Sequence, residues 1–317
     1  MSLPMIPFDA EKIKIHRVFQ SQELDSYTNV PVTSEKIRAV IGDELRFDAL
    51  PEDRPLVFGC LVNSIDGKLA YADKPGAFYV AGKNMLAGDG KDTDFWMLNT
   101  LRAVCDAAII GGNSLATDAD YSMHCMDADL TADRVKAGLP EIPLNIVMTL
   151  DAKDVPMDHA LLKSTQVPSM LITSPDGAAH FRANFQGDYV EVTEKDDLDA
   201  IRAAMAKAGT GVLPVLVTGQ GGFPDSVSAL KILKQAGIHK LLIESPGYAH
   251  FLIGQKMMDN LWLNLSAVYI GGGDTMTMGK AGKGFSADAH PHAKILSIHL
   301  YNEYFAYLRY KLNYDYM

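Results

Sequence analysis

The sequence lacks several features that mark secreted and membrane proteins. It has only three cysteines in 317 residues, none of them in a C-x-x-C spacing, so no disulfide framework is expected. No apolar run reaches the roughly 18 residues that a membrane-spanning helix needs. The N-terminus also shows no charged-then-apolar secretory pattern, so no signal peptide is predicted. Together these absences favour a cytoplasmic protein.

An excess of positive charge is also missing. Acidic residues outnumber basic ones by 39 to 29, which gives a formal net charge of −10. A broad nucleic-acid or anionic-membrane surface needs a basic face, so we expect neither partner and predict a small-molecule substrate. A local anion site stays open, because free N–H groups at the start of a helix can hold phosphate without net positive charge.

Two enzymatic signatures and a clear metal motif are absent as well. The zinc-deaminase pattern, H-x-E with P-C-x-x-C, does not occur, and neither does the G-x-S-x-G of α/β-hydrolases. His290 and His292 lie two residues apart next to a glycine-rich stretch, where a solvated loop is the simpler interpretation. No metal ion is expected.

Short apolar runs alternate with stretches of helical spacing along most of the chain. This rhythm predicts an α/β fold with a mostly parallel sheet and helices on both of its faces. The predicted strands after the first cover residues 107–110, 143–150, 169–173, 189–192, 212–217 and 239–244. The predicted helices of this region cover residues 92–102, 176–184, 197–207, 225–235 and 247–255.

Both ends of the chain differ from this middle part. Alternating runs at 294–301 and 304–311 predict a C-terminal antiparallel hairpin. The proline-bearing segment 51–55 reads as a boundary. We therefore divide the chain into an N-terminal extension over residues 1–50 and one domain over residues 51–317.

Two strand ends are candidate anion sites. The predicted strand at 107–110 runs into Gly111, Gly112, Asn113 and Ser114, where glycines let a phosphate approach the backbone and Ser114 can donate to it. The motif is neither G-x-G-x-x-G nor a P-loop, so a plain tight turn is an equal alternative.

The second candidate is the end of the strand at 239–244. It finishes at Glu244, and Ser245, Pro246 and Gly247 open the next helix. Proline suits a first helical turn, and the free N–H groups there can hold an anion. Glu244 can orient a ligand or transfer a proton. The alternative is an acid that only stabilises the helix start.

A third strand, over residues 56–62, delivers a polar turn. Asn63, Ser64 and Asp66 follow it, and Asp66-Gly67 is typical turn chemistry. Ligands in open α/β sheets bind where strands end, so these residues are candidates for the wall of a site. An ordinary exit from a strand is the alternative.

Several segments resemble one enzyme family. Ser64–Ala70 resembles the S-L-D-G-K-I-A segment of the riboflavin-biosynthesis pyrimidine reductases, the reductase domain of the bifunctional deaminase/reductase. Residues 108–114, 118–120 and 243–247 are similar to further family segments and follow in family order. The resemblance runs from about residue 54 to residue 312.

The resemblance implies a fold, a reaction and a set of roles. It implies a three-layer α/β/α dihydrofolate-reductase-like fold, an NADPH-dependent reductase of a ribosylamino-pyrimidine, and a homodimer. Asp118 matches the first residue of the family's acidic element, and it joins Glu244 as a catalytic candidate. The cofactor-binding candidates are Gly111, Gly112, Asn113, Ser114, Ser245, Pro246 and Gly247. The substrate candidates are Asn63, Ser64 and Asp66.

The chain departs from the family at two positions that concern the substrate. Cys60 stands where bacterial members often carry a lysine, and Tyr121–His124 replaces a stretch with an arginine facing the substrate phosphate. Arginine is the preferred phosphate clamp, so the exact substrate is left open. The alternatives are a reductase of another carbonyl, imine or pterin, and a non-catalytic nucleotide-binding protein of the same fold.

Overall fold

One twisted sheet organises the chain. The computed structural model describes residues 3–76, 78–279 and 282–317. Its strands are β1 (His16–Gln20), β2 (Leu56–Ser64), β3 (Ala107–Gly111), β4 (Leu144–Met148), β5 (Ser169–Thr173), β6 (Asp188–Thr193), β7 (Val212–Val217), β8 (Lys240–Ile243), β9 (Asn260–Ser266), β10 (His292–Asn302) and β11 (Phe305–Asn313). Their order is β1-β10-β11-β9-β2-β8-β3-β4-β5-β7-β6.

Helices connect and cover these strands. They are α1 (Gln22–Asp25), α2 (Glu35–Ile41), α3 (Phe78–Gly82), α4 (Gly90–Val104), α5 (Gly112–Leu115), α6 (Ala128–Lys136), α7 (Pro175–Asn184), α8 (Leu198–Met205), α9 (Ser226–Gln235) and α10 (Pro246–Gly254), with a 3₁₀ turn at Ala160–Lys163. Among the described residues, no helix is both long enough and apolar enough to cross a lipid bilayer.

Strand direction divides the sheet into two parts. From β6 to β9 in the sheet order, each strand pairs in parallel with the next. Strands β9, β11, β10 and β1 follow in antiparallel order. The predicted mostly parallel sheet and the C-terminal hairpin are both confirmed. The sequence patterns did not indicate β9, the strand that joins the two parts.

Apolar side chains fill both faces of the sheet. On one face, Trp96 of α4 and Phe181 of α7 belong to a single core. On the other face, Ile201 of α8, Leu230 of α9 and Leu252 of α10 belong to a second core. Helices therefore cover both faces, which confirms the predicted three-layer arrangement.

The predicted N-terminal extension is built into the same sheet and core. β1 pairs with β10, and the helix start at α2 is capped by the Ser34 hydroxyl, which accepts from the Ile37 N–H. Phe47 is fully buried. Its ring centroid lies 5.1 Å from that of Phe58 and 5.8 Å from that of Trp262. The extension and the domain therefore share apolar packing, and the boundary near residue 50 stays a prediction.

Phe47→Ala tests how much the domain depends on the extension. Removing a buried aromatic ring leaves a cavity, so we expect the free energy of unfolding to fall by about 3–5 kcal/mol. Denaturant unfolding measures this change. Phe223→Ala is the control, because Phe223, which follows β7, is 75% exposed and the loss of its ring should cost little. An unchanged stability in Phe47→Ala would show that the extension packs only loosely.

Candidate active site

The ends of three parallel strands meet at one edge of the sheet. β8 lies between β2 and β3, with Ile243 opposite both Gly59 and Ile109. The Glu244 N–H donates to the Ile109 carbonyl at 2.8 Å. A Cβ added to Gly111 would lie 3.1 Å from the Ser245 hydroxyl oxygen. The glycine loop after β3 and the start of α10 therefore lie side by side.

The start of α10 is open. Ser245 is its N-cap residue, but the Ser245 side chain accepts no capping hydrogen bond. A Cβ placed on Gly247 would meet no heavy atom within 4 Å. An uncapped helix start presents free N–H groups and the positive end of the helix dipole. This geometry suits the phosphates of a dinucleotide.

The second glycine of the loop after β3 has a different environment. A Cβ on Gly112 would lie 2.6–2.7 Å from the carboxyl atoms of Asp154. Thr149 donates its hydroxyl to Asp154 Oδ1 at 2.5 Å. Packing against Asp154 is thus enough to require a glycine here. Asn113, which is exposed, and Ser114, which is half-buried, follow on the short helix α5.

Glu244 is locked in a buried ion pair. Arg102 of α4 donates from Nε to Glu244 Oε1 and from Nη2 to Oε2, both at 2.7 Å. The Tyr121 hydroxyl donates to Oε2 at 2.5 Å. Burial works against the charge of Arg102, but the Glu244 carboxylate outweighs it and raises the arginine pKa. Both carboxylate oxygens are engaged, so this geometry favours an orienting role for Glu244 over proton transfer.

The partners of Glu244 were only partly visible in the sequence. Arg102 lies on the predicted helix at 92–102, at a spacing that turns it toward the sheet. Tyr121 belongs to the stretch that replaces the family arginine. Burial raises the pKa of Tyr121, so its hydroxyl keeps its proton and serves as a donor. The role of Tyr121 was missed.

Asp118 lies apart from this cluster. The residue is exposed, and its Oδ1 accepts from the Asp120 N–H at 3.1 Å. Its backbone carbonyl accepts from His159 Nε2 at 2.9 Å. Among the described residues, no contact joins Asp118 to Glu244. Its catalytic role stays a prediction that these contacts do not support.

Hydrogen bonds to the Asp66 carboxylate fix the turn after β2. Asp66 accepts from the Ser64 hydroxyl at 2.6 Å and from the Gly271 N–H at 2.7 Å. Partial burial opposes the charge, but these donors and the Ile270 N–H outweigh it and lower the pKa of Asp66 to about 2. Asp66 thus anchors the segment around residue 271. Asn63 precedes Ser64 on the strand, so the two side chains point to opposite faces of the sheet.

The stretch Tyr121–His124, which lacks the family arginine, is largely buried. His124 is buried; its Nε2 lies 2.8 Å from the Pro4 carbonyl and its Nδ1 lies 2.8 Å from the Ser122 hydroxyl. Desolvation lowers the pKa of His124, which favours the neutral ring at neutral pH. This stretch therefore offers no cation to a substrate phosphate.

Comparison with known proteins gives the family. The RibD C-terminal domain family matches residues 55–302. No curated protein matches the chain. Among solved structures, the chain is similar to a pyrimidine reductase-like protein from Corynebacterium diphtheriae, with 17% identity and a TM-score of 0.59 over 85% of this chain and 97% of that one.

Two longer proteins share the fold. Acinetobacter baumannii RibD is 15% identical with a TM-score of 0.51, over 83% of this chain and 59% of that one. A diaminohydroxyphosphoribosylaminopyrimidine deaminase/5-amino-6-(5-phosphoribosylamino)uracil reductase from Thermotoga maritima is 11% identical with a TM-score of 0.51, over 81% of this chain and 56% of that one. The chain spans a little over half the length of these two.

The mostly parallel sheet, with helices on both faces and antiparallel C-terminal strands, defines a dihydrofolate-reductase-like α/β protein. Because the family match covers most of the chain, the chain belongs to the RibD C-terminal domain family, the reductases of riboflavin biosynthesis. The resemblance found in the sequence and the fold that it implied are confirmed.

Glu244→Gln tests the ion pair. The substitution leaves the Arg102 charge buried without a countercharge, so we expect the free energy of unfolding to fall by about 3–5 kcal/mol. Chemical denaturation measures the loss. Asp118→Asn is the control, because the exposed Asp118 should tolerate the change. If Glu244→Gln were as stable as the wild type, Glu244 would not be holding α4 to the end of β8.

Asp154→Asn tests the carboxylate next to the glycine loop. If the loop after β3 holds the phosphates of a nicotinamide dinucleotide, removing this negative charge should tighten the binding of NADPH by about 1 kcal/mol, or roughly fivefold. Nicotinamide fluorescence measures the Kd. Asp151→Asn serves as the control, because Asp151 is already paired with Lys153 at 2.8 Å. Equal Kd values for Asp154→Asn and wild type would place the phosphates away from Gly112.

Proposed function

We propose that this chain is an NADPH-dependent reductase that acts on 5-amino-6-(5-phosphoribosylamino)uracil. The observation that carries the proposal is the uncapped start of α10, which leaves open space at Gly247 and lies next to Gly111. Gly111, Asn113, Ser114 and the N–H groups at the start of α10 would hold the cofactor phosphates. When bound, NADPH supplies a hydride to the substrate, and the protein supplies position and electrostatics.

The substrate assignment rests on the family rather than on a phosphate clamp. The Thermotoga maritima protein of similar fold is named as a 5-amino-6-(5-phosphoribosylamino)uracil reductase. In this chain, Arg102 is committed to Glu244, and His124 is buried. A reductase of another carbonyl, imine or pterin is therefore the second candidate, and the missing cation favours it. Oxidation of NADPH with such compounds, but not with the phosphorylated uracil, would select the second candidate.

We also propose a homodimer in the cytoplasm. β1 is an edge strand of the sheet, and Val18 and Phe19 on it are 57% and 45% exposed. An exposed apolar edge strand is a surface that proteins usually cover. Light scattering in solution measures the mass. A monomeric mass would remove this part of the proposal.

Gly247→Leu tests the cofactor site. Leucine fits the helix, because the position is open, but its side chain would fill the space in front of the free N–H groups. We expect NADPH affinity to fall at least tenfold, or about 1.4 kcal/mol. Titration with NADPH and with NADH, followed by nicotinamide fluorescence, gives both Kd values.

Gly254→Leu is the matched control for this experiment. Gly254 lies at the other end of α10, and a Cβ there also meets nothing within 4 Å. Its affinity should equal that of the wild type. Saturation of the wild type by neither cofactor would overturn the reductase proposal, and an unchanged Kd in Gly247→Leu would move the cofactor away from α10.

A further inference from the structure

A second acid lies on the same face of the sheet as Glu244. Asp94 belongs to α4, two helical turns before Arg102, and it is half-buried. Asn264 of β9 donates from Nδ2 to Asp94 Oδ1 at 2.7 Å. Asn264 itself is fully buried. Neither residue stood out in the sequence.

Strand register places this pair next to the candidate active site. Gly59 of β2 lies opposite Ile243, and Val62 of β2 lies opposite Asn264. Because side chains alternate across a strand, Glu244, Cys60 and Asn264 face the same side. Asn264 Nδ2 also lies 3.7 Å from Cys60 Sγ. Three strand spacings, or about 14 Å, separate β9 from the glycine loop after β3.

The Asp94–Asn264 pair has unused hydrogen-bonding capacity, which Glu244 lacks. Asn264 Oδ1 is buried and has no partner in the described part of the chain. Asn264 is likewise the only hydrogen-bonding partner of the Asp94 carboxyl among the described residues. A buried acceptor without a partner costs free energy. A ligand donor bound at this point would repay that cost.

The surroundings of Asp94 favour the protonated form of its carboxyl. Desolvation raises the pKa of Asp94 to about 7, although the hydrogen bond from Asn264 lowers it. Cys60 of β2 and Tyr307 of β11 face the acid, and burial raises the pKa of both well above their ordinary values. Both are therefore neutral. The Glu244 carboxylate is already paired with Arg102.

We propose that Asp94, positioned by Asn264, is the acid that protonates the substrate during reduction. The proposal deepens the proposed function and rests on it. The first sugar carbon gains a hydride from the reduced nicotinamide dinucleotide, which is oxidised. The bond from that carbon to the ring oxygen breaks, and its electron pair stays on oxygen. The ring oxygen takes the Asp94 proton. The carboxylate left behind keeps the hydrogen bond from Asn264 and regains a proton from solvent.

The kinetic test compares pH profiles of kcat/KM with NADPH and 5-amino-6-(5-phosphoribosylamino)uracil. Asp94 must be protonated to act, so the wild-type rate should be full below pH 7 and fall about tenfold per pH unit above it. Asp94→Asn should lower kcat/KM about 100-fold or more and abolish the fall in rate above pH 7, which is the alkaline limb of the profile. Asp94→Glu should restore part of the rate and part of the alkaline limb.

Two further variants separate position from charge. Asp92→Asn is the matched control, since Asp92 is exposed on the same helix and its loss should leave the rate and profile unchanged. Asn264→Ala removes the hydrogen bond that lowers the Asp94 pKa, so the limb should move to higher pH. A limb that stays in place would contradict the positioning role of Asn264.

Thermal unfolding measures the protonation state of Asp94 without any catalytic turnover. The pKa of Asp94 is raised in the fold above its ordinary value of 3.8, so its stability contribution is full below pH 4 and is lost as the pH rises through 7. The Tm of Asp94→Asn relative to wild type should therefore increase between pH 5 and pH 8. A constant difference would show that Asp94 is already ionised, which would overturn the proposal.

The outcomes distinguish a failure of the proposed role of Asp94 from a failure of the proposed reductase function. An active wild type whose Asp94→Asn variant keeps the same rate and the same limb overturns the proposal alone and leaves the reductase function standing. A wild type that binds neither NADPH nor NADH overturns the proposed function and the proposal with it. Loss of the limb together with the Tm increase supports both.

Discussion

The buried ion pair between Arg102 and Glu244 holds the candidate active site together. It joins α4, which covers one face of the sheet, to the end of β8, where α10 begins. A buried pair that is fully hydrogen-bonded is strongly destabilising to break, because either partner alone is an uncompensated charge. The position of the α10 start, and with it the open space at Gly247, therefore depends on the contact between Glu244 and Arg102 of α4.

This arrangement divides the work between two acids. Glu244 accepts from three donors and is fixed as a charged anchor. Within the described residues, the Asp94 side chain has one hydrogen-bonding partner, the Asn264 amide, and desolvation favours its neutral form. Enzymes often place two acids with different surroundings in one site and give each a different role. The two acids therefore have different roles on the same face of the sheet: Glu244 anchors α4, and Asp94 donates a proton.

Much of the fold was predictable from local patterns. The strands at 169–173 and 212–217 are apolar runs bounded by turn residues, and the structure confirms them. The strand β9 was missed although Leu261, Trp262 and Leu263 are apolar, because Asn260 and Asn264 interrupt the run. Those asparagines turn inward to partners on other elements, such as Arg309. Their burial depends on tertiary contacts that a local pattern does not contain.

The site was predictable in outline but not in its charges. Gly111 and Ser245 were expected at the ends of two strands, and the structure brings these two residues together. The roles of Glu244 and Asp94 depend on partners 142 and 170 positions away in the chain. Spacing along the sequence does not encode such pairs. Asp118 is the opposite case: the sequence motif pointed to it, but in the structure it is exposed and has no contact with Glu244 in the described part of the chain.

The central claim is that the ends of β3 and β8 together hold the phosphates of a nicotinamide dinucleotide. A crystal structure of the chain with NADPH bound tests it most directly. The account predicts a pyrophosphate within hydrogen-bonding distance of the N–H groups at Gly247 and Tyr248, with Gly111 alongside. A cofactor bound at another edge of the sheet, with α10 still open, would contradict the account.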